Sequence, residues 1–366
     1  MIPLFKVRMN ARIAADTLYS TLASGFIGEG PRVVEFEKAL SKVLGRPLLA
    51  TGSCTDALQC VLTVLDVGPG DEVITTPMTC VATNAPIVQC GARPMWADVF
   101  STNGNIDPLD VERKLTHRTK AIIAVNWTGR PAKYDELKKF GVPVIEDAAH
   151  GPIIGPRPTG DYICYSFGPI KHFTTGDGGA VWTQTETQQM ALRLARWYGL
   201  DRTSSKDFRC EQNITIPGSK FHMNDINATI GLANLPDLLT TVSLHQSNAR
   251  YIYDRLIHEL PSLMSEDSDL PIWMPTFSPE SNYWVFPILC QPEEKERIKQ
   301  YLLANDVMAS EVHARNDKHT AYNYPNGPLK GVGAFVARQL NIPCGWWLQR
   351  RDLDYICDVV LGAANG

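Results

Sequence analysis

Short apolar runs punctuate the first half of the chain, separated by stretches with helical spacing. The runs are residues 72–76, which follow a Gly-Pro-Gly turn, then 94–97, 121–125, 143–145 and 162–165. Runs that do not alternate with polar positions are buried on both faces, so they predict a mainly parallel sheet covered by helices on either side. Upstream, residues 10–44 carry Phe36 and Leu40 at helical spacing and are split at 25–31 by Gly25-Phe26-Ile27-Gly28-Glu29-Gly30-Pro31, a loop by composition. Residues 55–65 read as a helix entered from a Thr/Gly/Ser/Cys turn. Downstream, 225–239 and 249–260 read as helices, 283–289 as a strand and 293–305 as a helix. The pattern predicts an α/β chain with a large domain, 1–244, and a smaller α+β domain, 245–366. In parallel sheets ligands sit beyond the carboxyl ends of the strands. Here those ends carry Asn126, Glu146, Asp147 and Ser166.

Composition narrows the function. A chain of 366 residues suggests two domains and buries enough surface to fold without staples. Hydrophobic residues at 44% and charged residues at 20% exclude wholesale disorder. The net charge of −4 excludes a general nucleic-acid binder. No apolar run reaches the length of a membrane span, and residues 1–6 hold no signal-peptide core. Nine cysteines, an odd number with no C-x-x-C, predict reduced and mostly buried thiols in a cytoplasmic protein; no metal site is assigned.

Three segments carry candidate chemistry. In Ser166-Phe167-Gly168-Pro169-Ile170-Lys171 a lysine follows a buried strand, and Thr175-Gly176-Asp177-Gly178-Gly179 trails it. A solvated lysine is the plain alternative, but apolar flanks favour desolvation, which lowers an ammonium pKa enough for Schiff-base chemistry. Glu146-Asp147-Ala148-Ala149-His150 sets a carboxylate at a strand end, where it either caps a helix or meets a cation such as a pyridinium nitrogen. Thr51-Gly52-Ser53-Cys54-Thr55 puts free backbone N–H groups at a helix start, which is an N-cap or an anion site.

Helix start, Asp, Ser and Lys occur in the order that resembles fold-type-I pyridoxal-phosphate (PLP) enzymes. Further stretches resemble the DegT/StrS-type nucleotide-sugar aminotransferase family over nearly the whole chain. These are Ile2-Pro3-Leu4, Gly25-Phe26-Ile27 through Gly30-Pro31 with Phe36-Glu37, Gly68-Pro69-Gly70-Asp71-Glu72-Val73, the Asp and Lys blocks above, and Gly218 to Met223 with Asp225. The resemblance implies the α/β fold of PLP-dependent transferases, with a mainly parallel, seven-stranded-type sheet in the large domain.

It also implies roles. Lys171 carries the cofactor (PLP, or PMP after amine transfer) and moves the proton. Asp147 pairs with the pyridine nitrogen. His150 meets the ring oxygen O3′, unless it is a capping or core histidine. Ser166, Thr55 and the N–H groups of Cys54 and Thr55 hold the phosphate. The 218–223 loop, with Lys220, reaches the partner's site in a homodimer with shared active sites. Phe26, Ile27, His313, Arg315 and His319 are candidates for the nucleotide-sugar substrate, although residues 311–319 also read as a solvated face. Three positions depart from the family pattern: Cys80 stands where an aromatic residue stacks on the cofactor, Lys220 where Asn is common, and His222 where Arg is usual. Asn126-Trp127-Thr128-Gly129 also replaces a commoner H-x-x-G. The expected reaction is amine transfer from an amino acid, glutamate expected, to a nucleotide-linked 4-keto-6-deoxyhexose. The alternatives are a cyclitol aminotransferase, a sugar dehydratase (a type in which His replaces the lysine) and a non-catalytic regulator on the same fold.

Overall fold

A computed structural model of the chain describes residues 1–152, 157, 159–203, 210–325 and 327–365. The apolar runs become strands β2 (Glu72–Thr75), β3 (Arg93–Trp96), β4 (Thr119–Val125), β5 (Val144–Ala148) and β6 (Tyr162–Ser166), after a short β1 (Leu49–Thr51). With β7 (Gly179–Thr183) they form a seven-stranded sheet of order β1-β7-β6-β5-β4-β2-β3. The five strands from β6 to the edge strand β3 are parallel. β7 runs antiparallel to both β6 and β1.

The reason for the unbroken apolar runs is visible in β4. Ala121 and Ile123 pack into the core on one face of the sheet, while Ile122 and Ala124 pack into the core on the other. Both faces are dry, so the period-two alternation carries no polar residues. The chain adds β3 on one side of β2 and then returns to add β4 on the other. That reversal makes a crevice at the carboxyl ends of the neighbouring strands.

Three expectations change in detail. The helix expected at 249–260 is the second half of one 22-residue helix, Leu238–Glu259, because the apolar stripe through Leu238, Val242, Ala249, Ile252 and Leu256 is continuous. The expected 244/245 division falls inside that helix. The helix expected over 225–239 ends at Asn234, and a 3-10 turn at Leu235–Asp237, with Pro236 inside it, redirects the chain. The strand expected at 283 starts at Phe286, because Tyr283 has φ of 49° and cannot join a ladder. Strands β8 (Ile272–Trp273), β9 (Phe286–Cys290) and β10 (Gln339–Ile342) form a second sheet of order β10-β9-β8. It shares an apolar core with the helices Leu238–Glu259, Lys295–Ala304 and Arg350–Asn365. All nine cysteines are free; six are buried and Cys210 is exposed. Among the described residues, no helix is long and apolar enough to cross a membrane.

One contact ties the sheet to the helix Cys54–Val64. Ser53 caps it, its hydroxyl accepting from Asp56 N–H at 3.0 Å. Gly179, opening β7, lies so close that a Cβ there would meet the Ser53 carbonyl at 2.5 Å and Cys54 N at 2.6 Å. Both obstacles are backbone, so neither can turn aside. Gly179→Ala is expected to destabilise the fold by about 1–3 kcal/mol in urea titrations and to weaken cofactor binding by pushing the helix start outward. Unchanged stability together with unchanged cofactor affinity would disprove the close approach.

Candidate active site

At the carboxyl ends of β4, β5 and β6 lies a cavity of about 310 Å³, walled by the start of the helix Cys54–Val64 and by Thr79, Cys80 and Thr83. Cys54, Thr55, Cys80, Asp147, His150, Ser166 and Lys171 all line it. Residues some 90 positions apart in sequence meet here because β5 and β6 are neighbours and β7 carries the helix start alongside.

Asp147 is fully buried. Its carboxylate accepts from Thr83 Oγ1 at 2.7 Å and Ala149 N–H at 2.9 Å, with the Cys54 thiol at 3.7 Å. Burial nevertheless pushes the acid above its ordinary value, more than these donors and the Lys171 charge pull it down. Lys171 is half-buried overall, but its amine lies deep enough that desolvation lowers its pKa, opposed mainly by the Asp147 charge.

His150 is buried, and its Nδ1 accepts the backbone N–H of Thr128 at 3.2 Å. Thr128 sits at φ 54° in the turn Trp127–Gly129, which aims that amide at the ring. A neutral imidazole whose Nδ1 accepts must carry its proton on Nε2. That atom lies 3.4 Å from His313 Nε2. Desolvation drives His150 well below the usual histidine range, and Lys171 adds to the effect. His313 is pushed down to about 4 by the same two causes.

The remaining candidates do not line the cavity. Arg315 is bound through two nitrogens to the carboxylate of Asp317, at 2.7 and 2.6 Å, so its charge is already engaged. With His313 neutral, neither brings a free cation to the cavity. His319 is exposed, and so are Phe26 at 63% and Ile27 at 50%. Lys220 is exposed and does not line the cavity of its own chain; its backbone bridges Trp197. His222 packs against Trp197 with ring centroids 3.9 Å apart. In the stretch that departs from H-x-x-G, Asn126 is held by Glu146 and Tyr134, while Trp127 lies edge-on to His150.

Sequence reasoning passed over three residues. Thr83 holds the Asp147 carboxylate, as above. Asn316 is fully buried and clamps the far segment to the cavity wall: its amide donates to Thr79 O at 2.8 Å and its carbonyl accepts from Asn84 at 2.7 Å. Trp284 stacks on His150 with centroids 4.3 Å apart. The only signal for Asn316 was its place in a charged stretch, and Trp284 stood in a run read simply as strand.

The residues fit PLP. Asp147 is a buried acid whose only cationic neighbour in the cavity, among the described residues, is Lys171, so it suits a protonated ring nitrogen. The N–H groups of Cys54 and Thr55 have no acceptor among the described residues and open the helix toward the cavity. Fold and site together define a PLP enzyme of fold type I.

The chain belongs to the DegT/DnrJ/EryC1/StrS aminotransferase family, whose model matches residues 10–361. It is an aminotransferase, and PLP is the cofactor that aminotransferases of this family use. The chain is 27% identical to the spore coat polysaccharide biosynthesis protein SpsC of Bacillus subtilis, covering 94% of this chain and 93% of that protein. Its fold is similar to the crystal structure of the sugar aminotransferase CalS13 from Micromonospora echinospora, with a TM-score of 0.89, 29% identity, and coverage of 99% of this chain and 100% of that one. For AtS13 from Actinomadura melliaura the TM-score is 0.87 and the identity 33%, over 99% and 98% of the two chains.

The two depressed histidines give a pH prediction. His313, pushed down to about 4, stays neutral from pH 5.5 to 8, and burial drives His150 the same way, whereas the Lys171 amine works as a base only when deprotonated. Turnover at saturating substrate is expected to rise with pH across this range and to show no histidine step near 6.5. A step there that vanishes in His313→Asn would refute the neutral pair.

Proposed function

We propose that this chain transfers an amino group from an amino acid, glutamate in our reading, to the ketone of a nucleotide-linked 4-keto-6-deoxyhexose, and that it works in the cytoplasm. The observation that carries the proposal is the convergence of Lys171 and buried Asp147 on a cavity whose opposite wall is a helix start with free N–H donors. Bound PLP supplies a carbonyl that exchanges for an amine and a ring that takes up an electron pair.

The chain's own residues do the rest. Asp147 would keep the ring nitrogen protonated. Ser166, Thr55 and the N–H groups of Cys54 and Thr55 would bind the phosphate. His150 Nε2–H is the donor for the ring oxygen, and Cys80 would lie against the ring in place of an aromatic side chain. Lys171 Nζ holds the proton and returns it to the carbon being aminated. The dehydratase alternative is disfavoured by His172. It sits next to Lys171 in sequence, yet its ring turns away to His245, 4.3 Å between centroids, and to the carbonyl of Asn282 at 3.2 Å.

A homodimer with shared sites is part of the proposal. Ile13, Tyr19 and Leu22 on the helix Ala11–Ala23, with Phe26 and Ile27 after it, are apolar and exposed, as a surface covered by a second copy would be. Lys220, unused in its own cavity, would then add a point charge to the partner's phosphate.

Two experiments test the reading. Purified enzyme with glutamate and a panel of nucleotide keto-sugars is expected to yield an amino sugar by mass detection, and Lys171→Ala should lower the rate by at least about 10²–10⁴-fold. Conversion of a keto-inositol alone would move the assignment to a cyclitol aminotransferase, and full activity of the Lys171→Ala enzyme would end it. In the second, Lys171→Ala chains are mixed with Lys220→Ala chains. Hybrid dimers gather both defects in one site, so activity should recover to about half of wild type per hybrid. No recovery despite proven subunit exchange refutes action of Lys220 across the dimer.

A further inference from the structure

Lys171 has its nearest aromatic neighbour at a distant point in the chain. Trp284 is 2% exposed, and Lys171 Nζ stands 4.0 Å from its ring centroid. The indole is held on every side. Its Nε1–H donates to the carbonyl of Ile170, the residue directly before the lysine, at 2.9 Å. Its backbone N–H donates to Thr128 O at 2.9 Å, in the same turn that fixes His150. The ring stacks on His150 at 4.3 Å and on Phe5 at 4.7 Å.

We propose that Trp284 is a positioning residue for Lys171: its π face receives the ammonium whenever the amine is not bonded to the cofactor. The inference rests on the reading of Lys171 as the working amine. A free ammonium in this cavity has few partners. Among the groups around it, burial keeps the Cys54 thiol, His150 and His313 uncharged at pH 7, and of the two carboxylates that line the cavity, Asp147 and Asp177, the one whose charge bears on Lys171 is Asp147, the group that would serve the ring nitrogen. An indole face attracts a cation without carrying a charge of its own, and more strongly than the other aromatic rings. It therefore holds the ammonium without competing with Asp147. The bond to Ile170 makes this face rigid relative to the lysine's own backbone, so the amine returns to one place each time it is released.

The test reads Lys171 directly, in protein freed of cofactor. Acylation of Lys171 by an amine-directed reagent, followed by peptide mass spectrometry across a pH series, gives the midpoint of its deprotonation. Trp284→Leu keeps an apolar side chain but removes the π face, and the midpoint is expected to fall by roughly 0.4–1.5 pH units, the equivalent of one cation–π contact. Trp284→Phe keeps a weaker face and should fall between Leu and wild type. A midpoint in Trp284→Leu equal to wild type, or one in Trp284→Phe shifted as far as in Trp284→Leu, overturns the proposal. A second reading needs no Trp284 variant. With 13C-labelled lysine, the Lys171 ε-methylene signal, assigned by its loss in Lys171→Arg, should show an upfield ring-current shift in the wild type, and its absence overturns the proposal as well. Neither measurement requires turnover. A protein that shows both signatures yet aminates no keto-sugar would retain this inference and lose the proposed function.

Discussion

Asp147 cannot be buried at the end of β5 unless its surroundings are arranged for it, and much of the site follows from that arrangement. The carboxylate takes hydrogen bonds from Thr83 and from the amide of Ala149. Burial still outweighs them, so the acid sits above its ordinary value and is poised for a cation. Lys171 faces the same cavity with the opposite bias, its ammonium disfavoured by desolvation. Two groups of opposite charge, both made uncomfortable by the same dry walls, are the electrostatic condition for holding a charged cofactor ring and working on it.

Those walls are tertiary objects. Gly179 lets β7 approach the start of the helix Cys54–Val64 at backbone distance, which brings the first-turn N–H groups to the cavity's edge. From the far end of the chain, Asn316 hydrogen-bonds the 77–84 segment and Trp284 packs behind His150. The second sheet and its helices have a core of their own, but they touch the site through these few buried polar and aromatic side chains. Amine chemistry assigned to the large domain thus depends on residues beyond position 280 for its geometry.

Pairing also decides which charges are usable. Residues 311–319 carry charges of both signs in sequence, and a search for cations finds Arg315 and His313 attractive. In the fold Arg315 is engaged by Asp317, and His313 is desolvated beside Lys171. Charge counted along a chain does not subtract such pairs, nor the effect of burial on a titrating ring.

The central sheet was legible because both of its faces are apolar: continuous runs such as 121–125 have no other common explanation in a chain that alternates them with helices. The Asp147, Lys171 and helix-start blocks were legible because each is a local motif with its own chemistry, and their order along the chain matches the order of the elements that carry them. β1 and β7 escaped notice, being a three-residue strand and a strand opened by glycine in a turn-rich stretch. The expected start of the small domain at 245 falls inside the helix Leu238–Glu259, since a long amphipathic stripe marks no boundary. Sequence alone determined the fold class and singled out the three blocks that line the cavity, since these depend on periodicity and short-range pattern. Only the tertiary structure decided that Thr83, Trp284 and Asn316 belong to the site and that Arg315 and His313 bring no free charge to it, because those facts are contacts between residues far apart in the chain, and desolvation exists only once the chain has folded around them.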